Sequence, residues 1–343
     1  MLARSTNKGA TWVYEEIPDQ GDFNNQDITI AVDSQNSLIV VWKAGTEVIY
    51  RKRLENGTWN TPIVVGSVAG RTCEHPSVAV DSSDTAHIVW KEDYSASAED
   101  IRYNTVSVTG VLGTQLNVTN LVTRRQVEPY IAIGCNNVAH IVWQGTGWGT
   151  NRTYYNIQYN TVTDGVLGTQ IGITDKAVTS GNPECAIDSN GFVHLIYYEA
   201  SGLGTQGLYY TNNTAGTFRT PTRLTTFSSN SGLSITLDAK DNIYAFCATP
   251  TLPQGSITIL SNKGDGWATT MVKPMAYQYC DVYSMWSWYP RFGIISPNIL
   301  DNGYLAYLFW PKPTDYAYLM LRAPSQHPTI PTEPNRGKIV ASL

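Results

Sequence analysis

An all-β, six-bladed β-propeller of four-stranded antiparallel blades is the fold this sequence predicts, and three observations predict it. The first is a recurring pair of apolar runs joined by a short polar turn. In its clearest copy Val78, Val80, Ile88 and Val89 flank Asp81-Ser82-Ser83-Asp84, strand formers around turn formers. The second is spacing: Asp33, Asp81, Gly134, Asp188 and Asp238 hold the same turn position at intervals of 48, 53, 54 and 50 residues, the period of one blade. The third is that each unit carries four strand-like runs with consecutive rather than alternating apolar residues, as sheets buried on both faces require.

Residues 2–4 and 11–17 read as a hairpin that lacks a first half, so segment 1–17 is expected to complete the last blade and close the ring. In the second unit the four strands are read as 77–81, 86–90, 101–106 and 111–119. Third strands recur as Val48-Ile49-Tyr50-Arg51, Ile157-Gln158-Tyr159-Asn160 and Leu208-Tyr209-Tyr210-Thr211. Fourth strands follow glycine turns, and Gly-Val-Leu-Gly-Thr-Gln occurs letter for letter at 110–115 and 165–170. A worn sixth copy spans 294–310, preceded by an apparent insertion at 275–291. The propeller is thus assigned to 1–322. Residues 323–343, with Pro324, Pro328, Pro331 and Pro334, read as an extended arm suited to docking a protein assembly partner.

Charged residues are 15% of the 343, the net charge is −5, and there are 21 Tyr and 10 Trp. No basic face is available for nucleic acid. No apolar run reaches membrane-spanning length, so no membrane insertion is expected. Five cysteines without metal-type spacing imply neither a disulfide framework nor a metal site, and no cofactor is expected. His87, His140 and His194 occupy one strand position in three units, and that repetition reads as packing and hydrogen bonding rather than a site.

Ser5-Thr6-Asn7-Lys8-Gly9-Ala10-Thr11-Trp12 resembles the Asp box of the sialidase-like (BNR-repeat) β-propeller superfamily, with Asn7 at the Asp position, and 261–267 is a degraded second copy. The resemblance implies a propeller whose ligands bind at the face bearing the fourth-to-first and second-to-third connections. It also implies, for a sialidase, three arginines on a substrate carboxylate, an Asp acid/base, and a Tyr nucleophile activated by a Glu. Arg71, Arg124 or Arg125, and Arg291 fall in such connections, with Asp93, Glu128 and Tyr289 for the catalytic roles. The Arg-Ile-Pro signature of the family is missing.

The same face offers Glu74, His75, Trp148 and Trp288 as ligand contacts, since saccharides stack on indole rings and hydrogen-bond to carboxylates. His75 is the candidate base for a polysaccharide lyase, and segments 91–100 and 275–291 are expected to be long functional loops. The leading functional expectation is non-catalytic glycan or surface recognition, as in a virus tail or adhesion module at an extracellular or virion surface. The alternatives are a sialidase-like glycoside hydrolase or polysaccharide lyase, and a purely structural propeller.

Overall fold

A short carboxylate between two extended runs can close a tight turn on its own backbone, and four of the repeats do so, with Gly134 at that position in the third unit. The computed structural model describes residues 2–5, 13–18, 26–95, 98–119, 124–200, 204, 206–226, 233–238, 240–249, 256–274, 305–309, 318–322 and 339–342. In it Asp33 Oδ1 accepts from the backbone N–H groups of Gln35 and Ser37 at 3.0 and 2.7 Å. Asp81, Asp188 and Asp238 repeat the pattern. A left-handed residue completes each turn: Asn36, Asp84, Asn137, Gly191 and Asp241. The degraded box at 261–267 is also an Asx turn, Asn262 Oδ1 accepting from Gly264 N–H at 2.9 Å.

The chain opens with β1 (Leu2–Ser5) and β2 (Val13–Glu15). The first sheet holds β3 (Gln26–Val32), β4 (Leu38–Ala44), β5 (Glu47–Arg53) and β6 (Ile63–Gly66). The second holds β7 (Cys73–Val80), β8 (Ala86–Ser95), β9 (Ala98–Val106) and β10 (Leu116–Asn117). The third holds β11 (Gln126–Ile133), β12 (Ala139–Gly145), β13 (Asn156–Thr163), β14 (Val166–Leu167) and β15 (Ile171–Gly172), the last two both pairing with β13. The fourth holds β16 (Ser180–Ile187), β17 (Val193–Glu199), β18 (Gly207–Asn212) and β19 (Thr222–Arg223). Strands within each sheet are antiparallel and follow chain order, and these four sheets form one unit, residues 19–230.

A second unit, residues 1–18 and 231–343, is described by itself. It contains a sheet of β20 (Leu233–Leu237), β21 (Ile243–Thr249), β22 (Ser256–Asn262) and β23 (Trp267–Pro274), then a hairpin of β24 (Leu305–Phe309) and β25 (Tyr318–Arg322). Its third sheet places β1 between β2 and the parallel β26 (Ile339–Ser342). All described regular structure is β, and repeated four-stranded sheets of this order are those of a β-propeller.

Within residues 19–230 the second strand of each sheet is buried on both faces. Ile39 and Val41 of β4 pack with Val78, Ile88 and Trp90, while Val89 of β8 turns the other way toward Ile131, Ile141 and Trp143. Val142 of β12 continues the series with Leu195 and Tyr197 of β17. This explains the consecutive apolar residues: even and odd positions serve different inter-sheet cores. Two staples join the turns, Ser34 to Asp84 and Ser82 to Asn137.

Two expectations are corrected. Of segment 91–100, expected as a loop, the described residues 91–95 and 98–100 are strand, β8 continuing to Ser95 opposite Ala98 of β9. Lys91, Glu92, Asp93 and Glu99 are matched by ion pairs and Asp100 accepts from Asn117 and Thr119, so polarity there does not mark a solvated connection. The fourth strands are also shorter than the sequence suggests, β10 being two residues where nine were expected. The expected turn at 6–12, the insertion at 275–291 and most of the proline-rich arm lie outside the described residues.

Candidate active site

The first strands β3, β7, β11 and β16 share one irregularity. In each, two residues oppose a single aromatic on the second strand. Asp27 and Ile28 face Trp42, His75 and Pro76 face Trp90, Glu128 and Pro129 face Trp143, and Asn182 and Pro183 face Tyr197. These are β-bulges, which re-aim side chains and recur beside active sites. Proline suits the second bulge position because it has no N–H to leave unpaired.

The first residue of every bulge is left-handed: Asp27 at φ 54°, His75 at 50°, Glu128 at 53° and Asn182 at 50°. For residues other than glycine this conformation costs about 1–2 kcal/mol each. Four strained polar residues at one register position mark a place where side-chain direction outweighs backbone comfort.

The bulges bring three of these residues together. His75 Nδ1 lies 3.0 Å from Glu128 Oε1, and His75 Nε2 lies 3.5 Å from Asp27 Oδ2. Asp27 Oδ2 also accepts from the His75 backbone N–H at 3.2 Å. The Asn182 backbone N–H donates to Gln144 Oε1 at 2.8 Å. One imidazole thus bridges carboxylates from the sheets on either side of its own. The protonated ring can donate to both, the neutral ring to one. Such an arrangement holds and moves a proton between fixed sites.

Charged pairs surround this centre. Glu74 Oε1 meets Lys43 Nζ at 2.5 Å, and Glu74 Oε2 meets Lys91 Nζ at 2.8 Å. Burial pushes the Glu74 carboxyl up, but the two ammonium groups outweigh it and hold it at about 2. Burial pulls Lys91 down, yet Glu74 and Asp93, the latter at 3.0 Å, raise it on balance. Glu92, fully buried, takes Arg71 at 2.6 Å and Arg102 at 2.9 Å.

Arg125 clasps Glu99 through Nε and Nη2, the latter at 2.7 Å, and lies 5.8 Å over the Tyr155 ring. Its bonds to Glu99 raise the guanidinium, while burial raises the Tyr155 hydroxyl against the lowering effect of Arg125. Glu128 and Lys91 are among the charges acting on that hydroxyl.

Of the residues expected from sequence, Glu74, His75, Asp93 and Glu128 belong to this constellation. Arg71 and Arg125 stand at its edge, each bound to a carboxylate of the protein rather than unengaged. Arg124 lays its side-chain carbons against Gly147, and Trp148 stands on the β12–β13 connection. Trp288, Tyr289 and Arg291 lie outside the described residues.

Asp27, Asn182 and Tyr155 were not selected from the sequence as site residues. A signal for Asn182 was present, since His75-Pro76, Glu128-Pro129 and Asn182-Pro183 recur in the first strands opposite Trp90, Trp143 and Tyr197, whereas Asp27 is followed by Ile28 and lacks it. The repeated histidines sit elsewhere, at the Asx turns. His87 and His194 each bond a tyrosine through Nδ1, at 2.6 and 2.7 Å, and the turn aspartate through Nε2, whereas His140 bonds only Tyr159, at 2.8 Å, since Gly134 replaces the aspartate.

No family model and no curated protein matches this chain. Solved structures do resemble it. An α-L-arabinanase from Penicillium chrysogenum, solved with arabinobiose, superposes with a TM-score of 0.57 at 14% identity over 83% of this chain and 88% of that one. The GH93 α-L-arabinofuranosidase of Fusarium graminearum gives 0.57 at 13% identity, over 83% and 88%. A PL25 ulvan lyase gives 0.54 at 9% identity, over 86% and 77%. At these identities the likeness is one of fold. These three are glycan-processing enzymes, and that finding overturns the expectation of a non-catalytic adhesion module.

Proposed function

We propose that this protein is a glycan-cleaving enzyme on a six-bladed propeller, the four four-stranded sheets, the five-stranded third sheet and the β24–β25 hairpin standing for the six repeats. The observation that carries the reading is the His75 imidazole held between Glu128 and Asp27 by three strained bulges. In the hydrolytic form of the reaction one carboxyl group protonates the glycosidic oxygen as the bond to the anomeric carbon breaks. The other carboxylate activates the attacking water or attacks that carbon itself. His75 keeps the pair in register and returns the proton between turnovers.

A second reading, β-elimination from a uronate-containing polysaccharide, is favoured by Tyr155. Its ring lies under the Arg125 guanidinium and its hydroxyl can protonate a leaving group, with His75 available as base, while Arg125 and Lys91 are already bound to Glu99 and to Glu74 and Asp93. A sialidase-type arginine grip has less support, because Arg71 and Arg125 are bound to Glu92 and Glu99. A polysaccharide substrate suits an enzyme acting outside the cell.

The test is incubation with arabinan, ulvan and aryl glycosides, reading new reducing ends and the ultraviolet absorbance of unsaturated uronates. Reducing ends without absorbance support hydrolysis, and both together support elimination. Neither signal from any substrate would sink the enzymatic reading.

A further inference from the structure

The β12–β13 connection, residues 146–155, is long, exposes aromatic rings and is nevertheless held rigidly. Asp175 accepts from the backbone N–H groups of Thr150 and Asn151 at 2.8 Å each, and from the Thr150 hydroxyl at 2.7 Å. Asn156 ties the base of the loop, its Nδ2 donating to carbonyls of Asn151, Tyr154 and Lys176. Gly147 N–H donates to Arg152 O at 2.9 Å, and Thr146 N–H to Arg125 O at 2.9 Å, which joins the loop to the segment carrying Arg125.

On this frame Trp148 is 37% exposed and Tyr154 42% exposed. The Nε1 edge of Trp148 rests on Gly172, so closely that a Cβ there would stand 2.4 Å from Nε1. Gln158, fully buried and paired to Gly172, has a side-chain amide without a hydrogen-bond partner among the described residues. A half-exposed indole fixed on a hydrogen-bonded loop offers a sugar ring an apolar face to stack on.

The register fixes where that ring lies. Gly172 pairs with Gln158, Gln158 with Trp143, and Trp143 faces the bulge of Glu128. Trp148 and Glu128 are therefore at opposite ends of one row across the third sheet, three strand spacings or about 14 Å apart.

We propose that Trp148 is a distal subsite that stacks one sugar ring of a polysaccharide, a few units along the chain from the bond at Glu128. The proposal rests on the glycan-cleaving reading for its substrate, but its binding test does not need turnover. Occupation of this subsite favours long chains over short ones, since the extra contact exists only when the chain reaches it.

Affinity electrophoresis with arabinan or ulvan cast in the gel measures binding directly. Wild type is retarded, Trp148→Ala runs unretarded, and Trp148→Phe lies between them. Gly172→Ala keeps the indole but drives it off its seat, and it loses retardation as well. In parallel, the ratio of kcat/KM for polymer to that for a disaccharide falls about tenfold in Trp148→Ala, a contact of ~1.4 kcal/mol. Equal retardation of wild type, Trp148→Ala and Gly172→Ala would overturn the subsite, as would an unretarded wild type in every gel. Retardation that depends on Trp148 without turnover by wild type leaves the subsite standing and removes the catalytic reading. Turnover with an unaltered polymer-to-disaccharide ratio in both variants removes the subsite alone.

Discussion

His75 Nδ1 and Glu128 Oε1 meet at 3.0 Å although their strands, β7 and β11, belong to different sheets and the residues are 53 positions apart. Each reaches the contact from a left-handed bulge residue. The pair is therefore set by backbone geometry rather than by flexible reach, which preorganises it for proton transfer. Glu128→Gln and His75→Asn preserve size and polarity. Each is expected to lower kcat by about 10²–10⁴-fold while Tm stays near that of wild type. Kinetics and thermal unfolding on the same samples check this, and undiminished kcat in both variants would count against catalysis at this centre.

The Glu74 carboxylate gives the fold an acid limit. It is held at about 2 against an ordinary 4.5, because Lys43 and Lys91 outweigh the effect of burial. The folded state binds this proton more weakly than the unfolded chain does. Its stabilisation is thus full above about 4.5 and lost as pH falls from there toward 2. Glu74→Gln is expected to lower Tm at neutral pH by leaving two half-buried lysines without their shared anion, and to flatten the decline of Tm below pH 4.5. Thermal melts across that range decide it; a decline as steep as that of wild type would show that other groups govern the acid limb.

A second pH dependence comes from the turn end of the sheets. Burial pushes His140 down to about 4 from 6.5, and no aspartate opposes it because Gly134 holds that turn position. The unfolded chain takes up this proton first, so stability is full above about 6.5 and falls as pH drops toward 4. His140→Gln, which can still bond the Tyr159 hydroxyl, is expected to show a shallower slope in that window. Urea unfolding at several pH values checks it.

The staple between Ser34 and Asp84 offers a measure of how tightly neighbouring sheets are coupled. Ser34 donates to Asp84 through both its N–H and its hydroxyl, each at 2.8 Å. Asp84 is left-handed at φ 59°, so Asp84→Gly removes the carboxylate without adding backbone strain. A double-mutant cycle with Ser34→Ala is expected to give a coupling of about 1 kcal/mol. A coupling near zero would mean that apolar packing alone carries the inter-sheet contact.

The repeat architecture was legible because it is written locally. An Asx turn closes on its own backbone, and the period of Asp33, Asp81, Asp188 and Asp238 follows from counting. The structural role of His87, His140 and His194 was legible for the same reason, as one residue repeated in one setting. Glu74, His75, Asp93 and Glu128 were picked out as residues of channel-facing connections, and the structure places all four within strands β7, β8 and β11.

Convergence was not legible. That Asp27 lies against His75, and His75 against Glu128, depends on how separate sheets stack, and sequence spacing carries no such distance. Nor could the sequence show that Arg71 and Arg125 are committed to Glu92 and Glu99. Charged residues in a row read alike whether solvated or paired. By itself the sequence determined the turns and the period, because each depends on neighbours within a few residues, while the extents of β8, β9 and β10 followed from pairing. Only the tertiary structure decided which polar side chains share a site, because that depends on bulges re-aiming them and on sheets packing side by side.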